Sequence, residues 1–283
     1  MTEMKLDAYG KINLSLDVLS KRQDGYHNIS TIMQQIDLKD TIILREIGEG
    51  IVIESDHPKV PLDSTNLVYK TAELIKEKYN IDKGIYIKIQ KNIPIASGLA
   101  GGSTDAAMIF KGLNKLWDLN LSERELMDMG VKIGADIPFC IMGGTAQAEG
   151  IGEKLKKLPS FSDKLILLAN PGLPVSTVKV YESLQLDKIN KRPDIGKLIK
   201  NMEEDDIYSL SKNMANVLEE VTLRKYEIID RLKKIMIKNG ALGSLMSGSG
   251  PTVFGIFDSE KALYNCKKDL EKMIKNVYVT KTI

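Results

Sequence analysis

Along the first twenty residues, Ile12, Leu14, Leu16 and Val18 alternate with Asn13, Ser15 and Asp17. That period of two marks a strand with one apolar face. Asp24-Gly25 then supplies a turn signal, and strands are predicted near 29–37, 40–46 and 51–55. A helix is expected over about 65–79. Ile85, Ile87 and Ile89 alternate with Tyr86 and Lys88, whereas Ala106, Phe110, Leu113 and Trp117 recur at helical spacing. Ser122-Glu123-Arg124-Glu125 is a capping-box pattern that opens another helix. Residues 137–149 read as a strand, a turn at Gly143-Gly144 and a second strand.

The run Glu153-Lys154-Leu155-Lys156-Lys157 leads into a stretch at 159–163 with the composition of a boundary. Beyond it the pattern is more helical. A short apolar strand is predicted at 164–169. Ile207, Leu210, Met214, Val217 and Val221 form one helical stripe, and Ile228, Leu232, Ile235 and Met236 form another that Asn239-Gly240 stops. Strands at 242–247 and 252–257 flank Ser247-Gly248-Ser249-Gly250-Pro251, followed by a helix at 258–274 and a last strand at 277–283. Strands and helices mixed without strict alternation indicate an α+β protein of two domains.

Composition narrows the classes. Forty basic residues against 38 acidic ones leave a formal charge of +2 over 283 residues, so bulk electrostatics give no case for nucleic acid or an acidic membrane. Cys140 and Cys266 are too few and too far apart for a disulfide framework or a zinc site. No secretory pattern opens the chain and no apolar run reaches bilayer length, so a cytoplasmic protein is expected.

The strongest chemical signal lies between a predicted strand and a predicted helix. It runs Pro94-Ile95-Ala96-Ser97-Gly98-Leu99-Ala100-Gly101-Gly102-Ser103-Thr104, then Asp105-Ala106-Ala107. Small side chains let a ligand approach the backbone, and first-turn N–H groups with the helix dipole make a seat for an anion. The spacing matches neither a Walker A loop nor the dinucleotide fingerprint. Its plainer reading is a tight turn with Ser103 or Thr104 as helix cap. Four further candidates each have such an alternative. Lys11 and Asn13 share a strand face and could hold a phosphate or a reacting hydroxyl, or simply face solvent. Asp136, in Gly134-Ala135-Asp136-Ile137-Pro138-Phe139, could be a general base or a turn aspartate bonding its own backbone. Ser247-Gly248-Ser249-Gly250 could be an anion-binding nest or a hairpin connection. Gly25-Tyr26-His27 could stack on a nucleobase or sit at a loop edge. With two histidines far apart, at positions 27 and 57, no His-based metal site or catalytic triad is supported.

Taken in order, Lys11-Ile12-Asn13-Leu14, Asp24-Gly25-Tyr26-His27, the stretch 94–107, Gly134 through Phe139 and Ser247 through Gly250 resemble the galactokinase/homoserine/mevalonate/phosphomevalonate (GHMP) kinase superfamily. The resemblance covers essentially the whole chain. Lys-Ile-Asn-Leu followed by Asp-Gly-Tyr-His is similar to the branch acting on a cytidylated methylerythritol, and separates the chain from homoserine and mevalonate kinases. It implies a ribosomal protein S5 domain 2-like N-terminal domain at 1–158 and a ferredoxin-like C-terminal domain at 159–283. It implies ATP and Mg²⁺ as cofactors, the 94–104 loop around the nucleotide phosphates, and 4-diphosphocytidyl-2-C-methyl-D-erythritol as the substrate phosphorylated on its 2-hydroxyl. Asp136 would be the base and Lys11 its partner. Tyr26, His27 and Tyr181 would hold the cytosine, with Asn13 and Thr177 near the erythritol and phosphate groups. No dedicated carboxylate set for the metal stands out, and a monomer or weak homodimer is expected. Tyr9-Gly10 and Thr104-Asp105 depart from the family pattern without removing a charged catalytic group. The rival readings are a kinase of the same superfamily for another alcohol, and a catalytically silent nucleotide-binding protein.

Overall fold

The computed structural model describes residues 3–283. The chain divides into two compact units whose sequences interleave: Met1–Gly10, Leu38–Ile95 and Ala100–Gly143 form the first, and Lys11–Asp37, Ala96–Leu99 and Gly144–Ile283 the second. Two long strands, β1 (Glu3–Lys21) and β2 (His27–Ile47), contribute residues to both. β2 is continuous through Leu38 and Lys39, where the sequence pattern suggested a break between two strands.

In the first unit, residues 41–47 of β2 pair antiparallel with β4 (Gly84–Gln90), and β4 pairs parallel with β3 (Ile51–Ser55). The parallel pair needs a crossover, which α1 (Leu67–Tyr79) supplies. Ile85, Ile87 and Ile89 put their alternating face in the core. On the helical side, α2 (Gly101–Leu116) packs on α1 and on α4 (Ile137–Met142), and α3 (Glu123–Gly130) packs on α4. Ser122 and Glu125 close the expected capping box at α3. Residues 137–142 are helical, which overturns the strand predicted there. Pro138 sits in the first turn, where its missing N–H costs nothing, and the run Ile137 through Ile141 is buried on every side. A short apolar run buried all round carries no period to distinguish helix from strand.

The second unit holds β5 (Thr145–Gly150), which pairs with residues 29–34 of β2 and with β6 (Lys154–Lys157). The lysine run that precedes the 159–163 stretch is a short strand whose three lysines are exposed, a common guard on a sheet edge. A second sheet is antiparallel throughout, in the order β10 (Asn276–Lys281), β7 (Leu165–Asn170), β9 (Val253–Phe257), β8 (Gly243–Met246). With helices between β7 and β8 and between β9 and β10, this is the ferredoxin-like β-α-β-β-α-β plan. α9 (Glu227–Lys238) and α10 (Glu260–Glu271) bury Ile229, Leu232, Met236, Leu263, Cys266 and Leu270 in the core with Leu167, Val253 and Phe257. Burial pushes the Cys266 thiol up to about 12, so it behaves as a small apolar side chain. Between β7 and α9 lie α5 (Thr177–Ser183), α6 (Ile195–Glu203), α7 (Ile207–Asn213) and α8 (Glu219–Lys225).

The single helix expected from Ile207 to Val221 is therefore two. The stripe is real, since Leu210, Met214 and Val217 are all buried. Between the helices, however, the backbone serves β1: Leu16 N donates to Ala215 O (3.0 Å) and Val217 N to Leu16 O (3.0 Å). A strand partner outcompetes the helical bonds. Asn216 stabilises the break, its Nδ2 donating to Met246 O (2.8 Å) and Gly248 O (2.7 Å).

One position tests the packing of the first unit. A Cβ on Gly84 would stand 2.2 Å from the backbone carbon of Glu49, which no side-chain rotation relieves. Gly84→Ala is expected to destabilise the fold by about 1–3 kcal/mol, read as a lower urea midpoint at unchanged slope.

Candidate functional site

Within the second unit, β1 carries the first group. Lys11, Asn13, Ser15 and Asp17 are all buried, so the reading of that face as solvent-exposed is overturned. Lys11 Nζ donates to Asn13 Oδ1 (2.8 Å), Asn13 Nδ2 to Thr31 Oγ1 (2.9 Å), and Thr31 Oγ1 to Ser15 O (2.5 Å). A buried ammonium held by an amide, in a chain of hydrogen bonds, has a fixed position from which to meet an anion.

The glycine stretch belongs to both units: Pro94, Ile95 and 100–104 to the first, and 96–99 to the second. Its backbone is left-handed at alternate residues, Ala96 (φ 52°), Gly98 (φ 79°) and Ala100 (φ 58°). Alanine occupies that region at a cost, and such strain gathers where a backbone is shaped for a ligand. In the second unit the loop is pinned by Lys11 N donating to Leu99 O (3.1 Å), Thr252 N to Ser97 O (3.3 Å) and Ser247 Oγ to Gly98 O (3.0 Å). The two glycine loops of the sequence therefore touch. A Cβ on Gly98 would lie 2.4 Å from Ser247 O, and one on Gly248 3.6 Å from Asn13 Oδ1.

The second loop also reaches the nucleobase candidates of its own unit. Thr177 Oγ1 and Ser249 Oγ share a hydrogen bond of 2.8 Å. One turn on along α5, Tyr181 lies against His27, with ring centroids 5.3 Å apart and planes tilted by 38°. Burial, and then the charge of Lys21, lower the His27 pKa, so the ring is neutral near pH 7 and keeps one donor and one acceptor. Tyr26 is 58% exposed, with its amide donating to Asp24 Oδ1 (3.1 Å).

In the first unit, α2 begins at Gly101 with Ala100 in the cap position and no side chain capping it. The expectation that Ser103 or Thr104 caps the helix is overturned: both lie inside the first turn, and Thr104 Oγ1 donates to Tyr9 O (2.6 Å). The first-turn N–H groups are left for a ligand or water. Asp136 occupies the residue before α4 and is half-buried. Two residues before it, a Cβ on Gly134 would lie 4.0 Å from Ser103 Oγ, so the Asp136 turn abuts the start of α2.

Beside α2 is a cluster that sequence reasoning missed. Lys91 Nζ bonds Asp40 Oδ2 and Asp105 Oδ2 (2.8 Å to the latter), with all three side chains at most 5% exposed. Asp40 Oδ1 also accepts from Asn92 N (2.6 Å) and Ile93 N (2.8 Å). Asp105 Oδ1 has no hydrogen-bond partner. Two carboxylates sharing one buried ammonium cannot both ionise cheaply. Burial, reinforced by Asp40 against the opposing pull of Lys91, pushes Asp105 up to about 8, so it carries the proton at neutral pH. Nothing in the spacing of residues 40, 91 and 105 signals this cluster; the pairing of β2 with β4 brings Asp40 beside Lys91, and α2 carries Asp105 to the same ammonium.

A folded-state value near 8 against an ordinary 3.8 means that the native protein binds the extra proton between them. Stability should therefore fall as pH rises through that window. Asp105→Asn keeps the acceptor for Lys91, and is expected to flatten the fall in urea midpoint across the same range; an unchanged slope would mean that Asp105 is ionised.

Comparison with known proteins fits this geometry. Residues 66–144 match the model of the GHMP kinases N terminal domain and residues 198–276 that of the GHMP kinases C terminal. The chain is 51% identical over 283 residues to a 4-diphosphocytidyl-2-C-methyl-D-erythritol kinase of Acetivibrio thermocellus, covering all of both chains. It is 49% identical over 280 residues to the like-named protein of Clostridium botulinum strain Eklund 17B, covering 99% of this chain and 100% of the relative. A crystal structure of 4-(cytidine 5'-diphospho)-2C-methyl-D-erythritol kinase superposes with a TM-score of 0.85 at 27% identity over 99% of each chain. A homoserine kinase from Cytophaga hutchinsonii, at 21% identity, covers 100% of this chain and 98% of its own with a TM-score of 0.79, and shares the fold.

Proposed function

From the premise that the chain belongs to the GHMP kinase family, and within it to the 4-diphosphocytidyl-2-C-methyl-D-erythritol kinases, we propose that it transfers the γ-phosphoryl group of ATP to the 2-hydroxyl of that cytidylated diol. The chain is a kinase of isoprenoid precursor synthesis; the atoms and residues of the transfer are the proposal. The observation that carries it is the uncapped, glycine-rich start of α2 beside the Asp136 turn. Backbone N–H groups and the helix dipole suit nucleotide phosphates, and a nearby carboxylate suits an alcohol that needs a proton acceptor.

In this reading, 94–104 wraps the nucleotide phosphates and Asp136 accepts the hydroxyl proton as the oxygen attacks phosphorus. Lys11 supplies positive charge to the developing anion, and Asn13 fixes the position of its ammonium. Phosphoryl transfer asks for alignment and charge neutralisation more than covalent help, and these groups supply both. Mg²⁺ neutralises phosphate charge when it arrives with ATP. Among the described residues no group of three His, Cys, Asp or Glu side chains could hold a metal ion. His27 and Tyr181 bracket the cytosine, Tyr26 flanks it, and Thr177 reaches the substrate's phosphate side beside Ser249. Residues 1–158 serve as the ATP-binding domain and 159–283 as its C-terminal companion. Among the described residues no helix is long and apolar enough to cross a membrane.

Asp136→Asn is expected to lower kcat by about 10²–10⁴-fold and leave ATP affinity unchanged, measured by a coupled assay and by calorimetry. Wild-type turnover in that variant sinks the assigned base. Tyr181→Ala should act on binding instead, raising KM for the cytidylated diol by the ~1–3 kcal/mol of a base–aromatic stack while KM for ATP holds. Equal rates with homoserine or mevalonate as acceptor would favour the rival kinase reading.

A further inference from the structure

Within the first unit, the Lys91 ammonium joins Asp40 of β2 to Asp105 of α2, bonding both carboxyls among buried side chains. Burial opposes the charge on Lys91, but Asp105 and Asp40 together raise its pKa, so it stays an ammonium at neutral pH. Taking charges out of water is costly, and apolar side chains of similar volume often fill such a place at no loss of stability. What a charged trio adds is direction and spacing.

Those bonds fall on the two ends of the 94–104 loop. On the entry side, Asp40 Oδ1 accepts from Asn92 N (2.6 Å) and Ile93 N (2.8 Å), the two residues before Pro94. Asn92 Nδ2 donates to Lys39 O (3.0 Å) and Lys91 N to Asp56 Oδ1 (2.9 Å), which fastens the same stretch twice more. On the exit side, Lys91 Nζ donates to Asp105 Oδ2 (2.8 Å), one turn into α2. The ammonium also lies against the first residue of that helix. A Cβ on Gly101 would stand 3.3 Å from Lys91 Nζ and 3.1 Å from Ile93 Cγ2. Because the cap residue Ala100 is left-handed and makes no side-chain cap bond, the helix start is not held by a cap of its own. It is held from beneath, by the group that also holds the entry.

We propose that Lys91 is a positioning residue for the phosphoryl donor: by tying Asp40 to Asp105 it keeps both ends of the 94–104 loop at the spacing that fits the nucleotide's phosphates. The inference rests on the reading of that loop as the nucleotide site. Lys91, with its side chain 5% exposed, acts through the loop and not by touching ATP.

Lys91→Met removes the ammonium and keeps an unbranched side chain. Adding Asp105→Asn replaces the second buried acid by an amide, so no pair of like charges remains, and this double variant carries the test if the single one does not fold. In steady-state kinetics of the full chain, each variant should raise KM for ATP about three- to thirtyfold and leave KM for the cytidylated diol unchanged. The double variant is expected to melt closer to the wild type than the single one and still to keep the raised KM for ATP. An ammonium that only neutralised buried acids would not give that split. Calorimetric titration with a non-hydrolysable ATP analogue should show the same loss with no acceptor present. If the wild type binds the analogue and the double variant binds it as tightly, the positioning role is overturned. A KM for ATP that recovers together with the melting temperature, or an equal rise in both KM values, overturns it as well. No binding of the analogue by the wild type would remove the nucleotide reading, and this inference with it.

Discussion

The contact between Gly98 and Ser247 is the constraint on which the second unit's share of the site depends. Segments 149 residues apart approach until Ser247 Oγ donates to Gly98 O, and no side chain fits at position 98. Hydrogen bonds from Lys11 N and Thr252 N then hold the intervening residues of the first loop. Because Gly98 already has a left-handed backbone, any L side chain there meets both a forbidden conformation and a backbone oxygen. The same closeness sets the Lys11–Asn13 pair beside the loops, since a Cβ on Gly248 would touch Asn13 Oδ1.

Electrostatics divide between exposed and buried groups in a way that suits anion handling. Surface pairs such as Arg124 with Asp128 add little, being solvated and screened. The buried Asp40–Lys91–Asp105 cluster is different. It places an ammonium beneath the start of α2, where a Cβ on Gly101 would lie 3.3 Å from Lys91 Nζ. Both carboxyls sit on that one ammonium, and the proton on Asp105 keeps the cluster near neutrality. The helix start therefore has no net acid charge beneath it.

The break between α7 and α8 shows how one requirement overrides another. The apolar stripe asks for a continuous helix, yet the bridge from Leu16 to Asn216 interrupts it and frees Asn216 to brace the second glycine loop. A side chain that would be solvated on a helix instead satisfies two buried carbonyls. Local helical preference is worth tenths of a kcal/mol per residue, less than the cost of stranding those groups.

By itself the sequence determined the elements with an unambiguous period: the alternation in β1 and β4, the capping box of α3, the stop at Asn239-Gly240 and the order of the C-terminal strands. It also carried the two glycine loops and the motifs around Lys11, His27 and Asp136, because turns and helix starts demand particular residues within a few positions. Tertiary structure alone decided that 137–142 is helix, since burial on all sides erases periodicity. It decided that the polar face of β1 is buried, that Thr104 bonds Tyr9 rather than capping α2, and that Asp40 and Asp105 meet on the Lys91 ammonium. Each of those depends on what lies across a strand pair or helix contact dozens of residues away, and local spacing holds no record of that neighbour.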